Sequence, residues 1–158
     1  MNYNLLDEVL DVAVAKLGRD NSIGFTQIKV SAARFVCEQA GDPFNPYYLG
    51  PATEFLIPCA ANRHSLLTQL LDPHTNLVYA TAYSAMILIR WKTAGYDISN
   101  DPEIFATLYN LGPFRSDGSE RTPHGSPQPN SFGERAAQFY YSPILTDEFP
   151  QGGMSQSN

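Results

Sequence analysis

Two short turns in this sequence carry side chains that could bind and position a polar substrate. The first contains Ser22, Gly24 and Gln27 within Ser-Ile-Gly-Phe-Thr-Gln-Ile, and the second contains Tyr109 and Asn110 within Tyr-Asn-Leu-Gly. Hydroxyl and amide groups donate and accept hydrogen bonds, and glycine lets another chain approach the backbone closely. Each turn alone also fits a simpler interpretation, namely an ordinary loop for the first and a helix C-terminus closed by a left-handed glycine for the second.

A third segment lies between the two turns, with Leu71-Asp72-Pro73 followed by Asn76-Leu77-Val78-Tyr79. In this order and at these separations the motifs resemble the lysozyme-like lytic transglycosylases and goose-type lysozymes, over residues 5 to 140. The resemblance implies a mainly α, lysozyme-like single domain with a long central buried helix. It also implies a cleft, walled by the two turns, that cleaves the MurNAc–GlcNAc backbone of peptidoglycan.

The resemblance assigns a role to each motif residue. Ser22, Gly24, Gln27 and Asn110 would bind substrate, with the Gln27 amide pointing into the cleft, and the Tyr109 hydroxyl would support the catalytic acid. Two departures from the common pattern, Phe-Thr in place of Leu-Met and Lys-Val in place of a following Pro, resemble the divergent members found as toxin or effector domains.

Glycan cleavage of this kind requires a carboxylic acid held protonated beside the glycosidic oxygen. Upstream of Ser22 the chain offers one glutamate, Glu8, with Asp7 and Asp11 close by. The family's acid is a Glu that ends a helix upstream of the first turn, so the resemblance assigns Glu8 as the catalytic acid. Two alternatives stay open: Glu8 is a solvated helical residue, or the acid lies upstream of this chain. Hydrolysis and formation of 1,6-anhydro ends are equally compatible with the motifs.

Composition is typical of one globular domain. The chain has 158 residues, of which 43% are hydrophobic and 16% charged, enough for one sizeable core. A formal net charge of -6 argues against nucleic acid as a partner, and no apolar run reaches the length of a bilayer span, so no membrane insertion is expected. The expected partners are peptidoglycan glycan strands and, for a toxin-type member, a cognate immunity protein.

The N-terminus lacks the basic and apolar regions of a signal peptide. An enzyme that acts in the periplasm or cell wall would therefore be delivered by a secretion system, or would be one domain of a larger protein. We expect the domain to cover residues 1–149, followed by a disordered tail over 150–158.

Cysteine and histidine usage predicts neither a metal centre nor a cofactor. Cys37 and Cys59 allow one disulfide, but Cys37 lies on the apolar side of a predicted helix, which favours two buried free thiols. A disulfide would instead fit an oxidising compartment. His64, His74 and His124 are far apart without an i,i+4 pair, so we expect them to be solvated or to cap helices.

Apolar spacing predicts helices over 6–17, 30–40, 66–71, 75–93, 102–108 and 132–140, with a short helical piece at 52–56. The 75–93 helix is the strongest, since it is small or apolar on nearly every side, at Leu77, Ala80, Ala82, Ala85, Leu88 and Ile89. No alternation typical of strands is found. The Gly-, Ser- and Pro-rich segment 113–131 is predicted to be a long loop that is mobile or covers the cleft rim.

Two functions without catalysis are compatible with the same residues. A lysozyme-like module that has lost its acid would retain the cleft for binding glycan or protein. A plain helical interaction domain would dock partners through the aromatic loop from Phe44 to Tyr48. A buried carboxyl that faces Gln27 and Tyr109 would distinguish the enzyme from the binding module.

Overall fold

The computed structural model describes residues 20–51 and 56–144 of the chain. Within these residues, a hairpin of β1 (Ser22–Ile23) and β2 (Ile28–Lys29) is followed by five helices. These are α1 (Val30–Ala40), α2 (Arg63–Leu71), α3 (Pro73–Thr93), α4 (Pro102–Leu111) and α5 (Ser131–Tyr140). The mainly α prediction is confirmed for this part of the chain. The hairpin is not predicted, because two residues per strand are too few to show alternation.

Several sequence predictions fall outside the described residues. These are the helix over 6–17 with Glu8, almost all of the helical piece at 52–56, the domain boundary at 149 and the tail over 150–158.

Helix α3 lies at the centre of the core and packs against α1, α2 and α4. It begins two residues earlier than predicted because Asp72 caps it and Pro73 occupies its first turn. The Thr75 backbone N–H donates to Asp72 Oδ1 at 2.8 Å, and this bond lowers the pKa of Asp72. Two of the predicted apolar positions, Leu77 and Ile89, are 51% and 36% exposed. Much of the buried surface comes instead from larger side chains, namely Tyr79, Tyr83, Met86, Ile87 and Trp91.

Helix α1 follows β2 directly, and Asp20 caps it from outside the helix. The carboxylate accepts from the Ser31 backbone N–H at 2.7 Å and from the Ser31 hydroxyl at 2.6 Å. These bonds satisfy a first-turn N–H and place negative charge at the positive end of the helix. The buried face is Val30, Ala32, Ala33, Phe35, Val36 and Ala40, which contains most of the predicted apolar face.

Helices α4 and α5 cross so closely that only glycine fits at the contact. A Cβ atom on Gly133 would lie 2.1 Å from both the Glu103 carbonyl oxygen and Thr107 Oγ1. Asn130 caps α5 by accepting from the Phe132 and Gly133 N–H groups at 3.1 and 2.9 Å, and its own N–H donates to Thr107 Oγ1 at 3.0 Å. The close backbone contact at Gly133 and the hydrogen bond from the capping residue Asn130 to Thr107 therefore hold the two helices together.

The prediction of two free thiols is wrong, because Cys37 and Cys59 form a disulfide with a Cα–Cα distance of 5.5 Å. Cys37 is only partly buried beside the core. The bond ties α1 to the segment that precedes α2. Apolar spacing placed Cys37 on the correct side of its helix but could not show that Cys59, 22 residues away, returns to it.

Closure of this loop is expected to stabilise the fold. For a loop of this length the chain-entropy relation gives about 3 kcal/mol. We expect the double substitution Cys37→Ser/Cys59→Ser to lower the free energy of unfolding by about that amount, measured by guanidinium denaturation under non-reducing conditions.

Dithiothreitol should lower the stability of the unmodified chain to nearly the level of the double variant and should leave the variant unchanged. If the reductant leaves the stability of the unmodified chain intact, the disulfide contributes nothing to it.

Buried tyrosines should make the fold sensitive to alkali. Burial raises the pKa of Tyr79 and Tyr83, and burial together with the hydrogen bond to Glu120 raises that of Tyr47. A raised folded-state pKa gives stability that is fully present below the unfolded value of about 10 and is lost as pH rises above it. We expect the free energy of unfolding to fall above pH 10, and less steeply in Tyr83→Phe. Tyr141→Phe, at an exposed position, is the control, and equal slopes for both variants would contradict the prediction.

Candidate functional site

The first turn is held in place by one fully buried side-chain amide, that of Asn76 in α3. Its Nδ2 donates to the carbonyl oxygens of Ile23 at 3.0 Å and Leu70 at 2.9 Å. Its Oδ1 accepts from the Thr26 backbone N–H at 2.9 Å and from the Thr26 hydroxyl at 2.6 Å. All four hydrogen-bonding positions of the amide are thus occupied. The amide joins the hairpin, the end of α2 and the start of α3.

Gly24 is required by this arrangement. Its φ is +72°, a region that side chains disfavour. A Cβ atom there would lie 2.4 Å from the Leu70 carbonyl oxygen and 2.5 Å from Asn76 Nδ2. The glycine that the resemblance assigns to substrate approach therefore makes its close contact with Asn76 and α2.

The two other predicted site residues of the first turn, Gln27 and Ser22, make contacts within the hairpin. Gln27 has φ +54° and is exposed, and its side-chain Nε2 donates to the Gly24 carbonyl at 3.0 Å. The amide predicted to point into the cleft thus makes a hydrogen bond that closes its own turn. Ser22 lies in β1, where it pairs with Lys29, and is partly exposed.

The second turn lies against the first. The Tyr109 hydroxyl donates to the Thr26 carbonyl at 3.2 Å, and Lys29 Nζ donates to the Leu111 carbonyl at 3.2 Å. Burial raises the pKa of Tyr109, with the Thr26 bond acting in the opposite direction, so its phenol is a neutral donor near neutral pH. Tyr109 and the first turn, which are 83 residues apart, are therefore brought together.

The Asn110 side chain contacts Asn130 rather than the first turn. Its Oδ1 accepts from Asn130 Nδ2 at 3.2 Å, so the side chain contacts the cap of α5. Asn110 thereby connects the second turn to the α4–α5 crossing, and no hydrogen bond joins it to Gln27 within the described residues.

An open groove of about 390 Å³ adjoins the contact between the turns. Such a volume falls in the usual range for small-ligand sites. The groove combines aromatic and aliphatic surface with four hydroxyl groups, and its lining residues are Thr26, Leu77, Ala80, Thr81, Ser84, Phe105, Ala106, Tyr109 and Phe132. The exposure of Leu77 follows from this position on the groove wall.

No carboxylate belongs to the groove lining within residues 20–51 and 56–144. Asp20, the described acid nearest the first turn in sequence, is engaged by Ser31. The same residues contain no group of three or more histidine, cysteine or acidic side chains that could hold a metal ion. All three histidines are exposed, as predicted.

The 113–131 loop does not cover this groove in the structure, since none of the lining residues comes from it. It packs instead near the C-terminal half of α3, where His124 lies against Trp91 with ring centroids 5.8 Å apart. A bridge between Phe114 and Glu120 and a bond from Arg121 Nε to the Gly112 carbonyl, at 3.1 Å, hold its first part.

Asn76 and Thr26 are functional candidates to which the sequence pattern assigns no role. Asn76 could have been found from its place in Asp-Pro-x-x-Asn, because a polar residue on a helix predicted to be buried needs hydrogen-bond partners. Thr26 offers no such signal, since its importance rests on three backbone and side-chain contacts made across the fold.

Comparisons with known proteins add no relative: no protein-family model, no curated protein and no solved structure matches this chain. Among the described residues, no helix has both the length and the apolar character needed to cross a bilayer.

We expect Asn76→Ala to lower the free energy of unfolding by at least about 3 kcal/mol, because it leaves the Thr26 N–H and two carbonyls without partners. Asn62→Ala is the matched control. Asn62 caps α2 through one bond to the Ser65 N–H at 2.9 Å, so that change should cost about 1 kcal/mol. Urea denaturation of the three proteins measures both losses, and equal losses would show that the four bonds of Asn76 do not act as described.

Tyr109→Phe removes only the hydroxyl that joins the two turns. The loss should be about 1 kcal/mol, with amide resonances of the first turn shifted in an NMR spectrum. Unchanged resonances at Thr26 and Gln27 would contradict the contact.

Proposed function

We propose that this chain cleaves peptidoglycan glycan strands, as a lysozyme-like lytic transglycosylase or muramidase of the toxin or effector type. The observation that carries the proposal is the bond from Tyr109 to Thr26, because it joins the two motifs of the resemblance beside an open groove. The substrate would lie in that groove, across the Thr26 backbone and the Tyr109 ring.

The groove walls suit a carbohydrate. Sugar rings present C–H faces and hydroxyl edges, and the groove presents the rings of Phe105, Phe132 and Tyr109 beside the hydroxyls of Thr81 and Ser84. Aromatic surface supplies apolar contact area, while hydroxyls donate and accept in the way a glycan requires. None of the lining side chains that the structure describes is charged, so recognition would rest on the neutral backbone of the strand.

The disulfide supports a site of action outside the reducing cytosol. Disulfides persist in the periplasm and at cell surfaces and are rare in the cytosol. The Cys37–Cys59 bond is therefore compatible with the proposed action in the periplasm or cell wall. A toxin of this type would be neutralised by a cognate immunity protein.

The proposed reaction requires an acid that the described groove walls do not contain. The acid would protonate the glycosidic oxygen as its bond to the anomeric carbon breaks and the N-acetyl carbonyl oxygen of the sugar attacks that carbon. Water or the sugar's own hydroxyl would then attack the same carbon and displace the N-acetyl oxygen, returning a proton to the acid. Glu8, outside the described residues, is the proposed acid. Tyr109 would support it, and Asn76 would fix the turn against which the strand lies.

A non-catalytic glycan-binding module is the second candidate. One observation favours it: the groove residues that the structure describes include no carboxylate. Such a module would bind glycan strands through the same aromatic and hydroxyl surface without cleaving them.

We expect the unmodified chain to clear suspensions of purified peptidoglycan and Glu8→Gln to lose this activity by at least about 100-fold, a typical effect of removing a general acid. Glutamine has nearly the shape and helix propensity of glutamate, so stability should change little. Mass spectrometry of the products would distinguish anhydro ends from reducing ends.

Glu38→Gln is the matched control, because Glu38 is an exposed residue of α1 paired with Arg34. It should retain full activity. Full activity in Glu8→Gln would exclude Glu8 as the acid. Binding of glycan strands without cleavage by the unmodified chain would favour the module.

A further inference from the structure

A second cavity lies on the other side of α4 from the groove. Its volume is about 170 Å³, and its walls come from α3, α4 and the loop over 113–131. With 3.6 residues per turn, the α4 residues that line the groove and those that line the cavity fall on opposite faces of the helix. We call this cavity the arginine pocket; its lining residues are Trp91, Ile104, Thr107, Leu108, Leu111, Arg115, Arg121, Thr122, His124, Pro127 and Gln128.

The inner wall of the arginine pocket is apolar. Ile104, Leu108 and Leu111 come from one face of α4, and Trp91 comes from α3. Trp91 is the chain's one tryptophan and is 4% exposed. About six water molecules occupy this volume in the liquid. A small ligand with a hydrocarbon body could replace water in the pocket.

The remaining wall is polar and carries two arginines. Arg115, Arg121 and His124 come from the loop, and no aspartate or glutamate is among the described lining residues, although the chain as a whole carries a net charge of -6. Arg121 Nε donates to the Gly112 carbonyl at 3.1 Å, which fixes the orientation of that guanidinium. Arginine binds carboxylates through two parallel N–H groups.

Two acids lie close to these arginines in sequence, Asp117 and Glu120. Asp117 accepts from the Ser119 N–H and hydroxyl, and the charge of Arg115 contributes to its lowered pKa, so it compensates Arg115 in part.

Glu120 does not neutralise Arg121. Its carboxylate accepts from the Tyr47 hydroxyl and lies 3.6 Å from Arg90 Nε. Glu120 therefore compensates Arg90, and no ion pair with a carboxylate is found for Arg115 or Arg121 within the described residues.

Arg90 lies next to the arginine pocket and is paired with Glu120 Oε1, 3.6 Å from its Nε. It lines a chamber of about 30 Å³ that shares Trp91, Leu108 and Arg121 with the arginine pocket. Its Nε is buried and has no hydrogen-bond partner among the described residues. The chamber has about the volume that one molecule occupies in liquid water, and a water held there would satisfy this donor.

We propose that the arginine pocket binds a small organic carboxylate with an apolar body. The carboxylate would be held by Arg115 and Arg121, and the body would lie against Trp91 and the leucines of α4. Inorganic phosphate would satisfy the arginines but leave the apolar wall in contact with water, and a neutral hydrocarbon would leave the arginines unpaired. The site is independent of glycan cleavage, because α4 separates it from the groove.

Titration of the tryptophan fluorescence of the full chain tests this proposal directly, since Trp91 forms part of the wall. Cyclohexanecarboxylate, which does not absorb at the excitation wavelength, is the probe. We expect a saturable change with this probe. Cyclohexanecarboxamide, acetate and inorganic phosphate should each bind at least tenfold more weakly, because each lacks either the charge or the apolar body.

Arg115→Gln should weaken binding of the probe on the order of tenfold, as loss of one hydrogen bond between charged groups predicts. Arg34→Gln, which changes the net charge equally at an exposed position on α1, should leave binding unchanged. Far-UV circular dichroism of both variants confirms that they are folded.

Three outcomes would overturn the proposal. Absence of a saturable signal with cyclohexanecarboxylate would show that the cavity does not take this ligand class. Equal binding of the amide or of phosphate would show that the pocket does not require charge and apolar body together. Equal weakening by Arg34→Gln and Arg115→Gln would assign the effect to net charge.

Discussion

The hydrogen bonds of the buried Asn76 amide join three parts of the chain, namely the β-hairpin, the end of α2 and the start of α3. An amide transferred from water into a core loses its hydrogen bonds to solvent, and the loss is tolerable only when every donor and acceptor finds a new partner. In this fold the two donors reach the carbonyls of Ile23 and Leu70, and the acceptor serves Thr26 twice. The turn is therefore held in one conformation, and Gly24 must be glycine because the amide lies directly against it.

The position of the second turn depends on the first. Thr26 is held by Asn76 through its N–H and hydroxyl, which leaves its carbonyl free to accept from Tyr109. Tyr109 also packs against Tyr83 of α3, with ring centroids 5.7 Å apart. The groove thus has walls set by buried contacts rather than by loop conformation, which is the condition for a preorganised site.

Helix α4 separates two surfaces of opposite chemistry. Within the described part of the chain, its groove side presents aromatic rings and hydroxyls without charge, and its other side meets the arginines of the loop over 113–131. This loop is long and poor in apolar residues, and it is held at its start by the Phe114–Glu120 bridge and by Arg121. The arginines of the loop therefore lie beside Trp91. They are away from the groove, whose rim a loop of this kind was predicted to cover unless it was mobile.

Local patterns in the sequence determined the helices and their ends, whereas only the tertiary structure decided the partners. The bounds of α1, α3 and α5 lie within two residues of those predicted. For α1 the reason is local, because burial of one face repeats every 3.6 residues whatever the helix packs against. The start of α4 at Pro102 followed from the Asp-Pro pair for an equally local reason, whereas Asp72-Pro73 begins α3 two residues earlier than predicted. The resemblance selected the two turns, but the hydrogen bonds of Gln27 to Gly24 and of Asn110 to Asn130 come from the tertiary structure alone.

The Cys37–Cys59 bond, the bond from Tyr109 to Thr26 and the contacts of Asn76 with the hairpin join residues that are 22, 83 and 50 or more positions apart. Periodicity reports that a side chain is buried, but it carries no information about which distant group it meets. A buried amide such as that of Asn76 stabilises the core only through the groups to which it hydrogen-bonds. Its contribution to stability therefore depends entirely on which distant groups it meets.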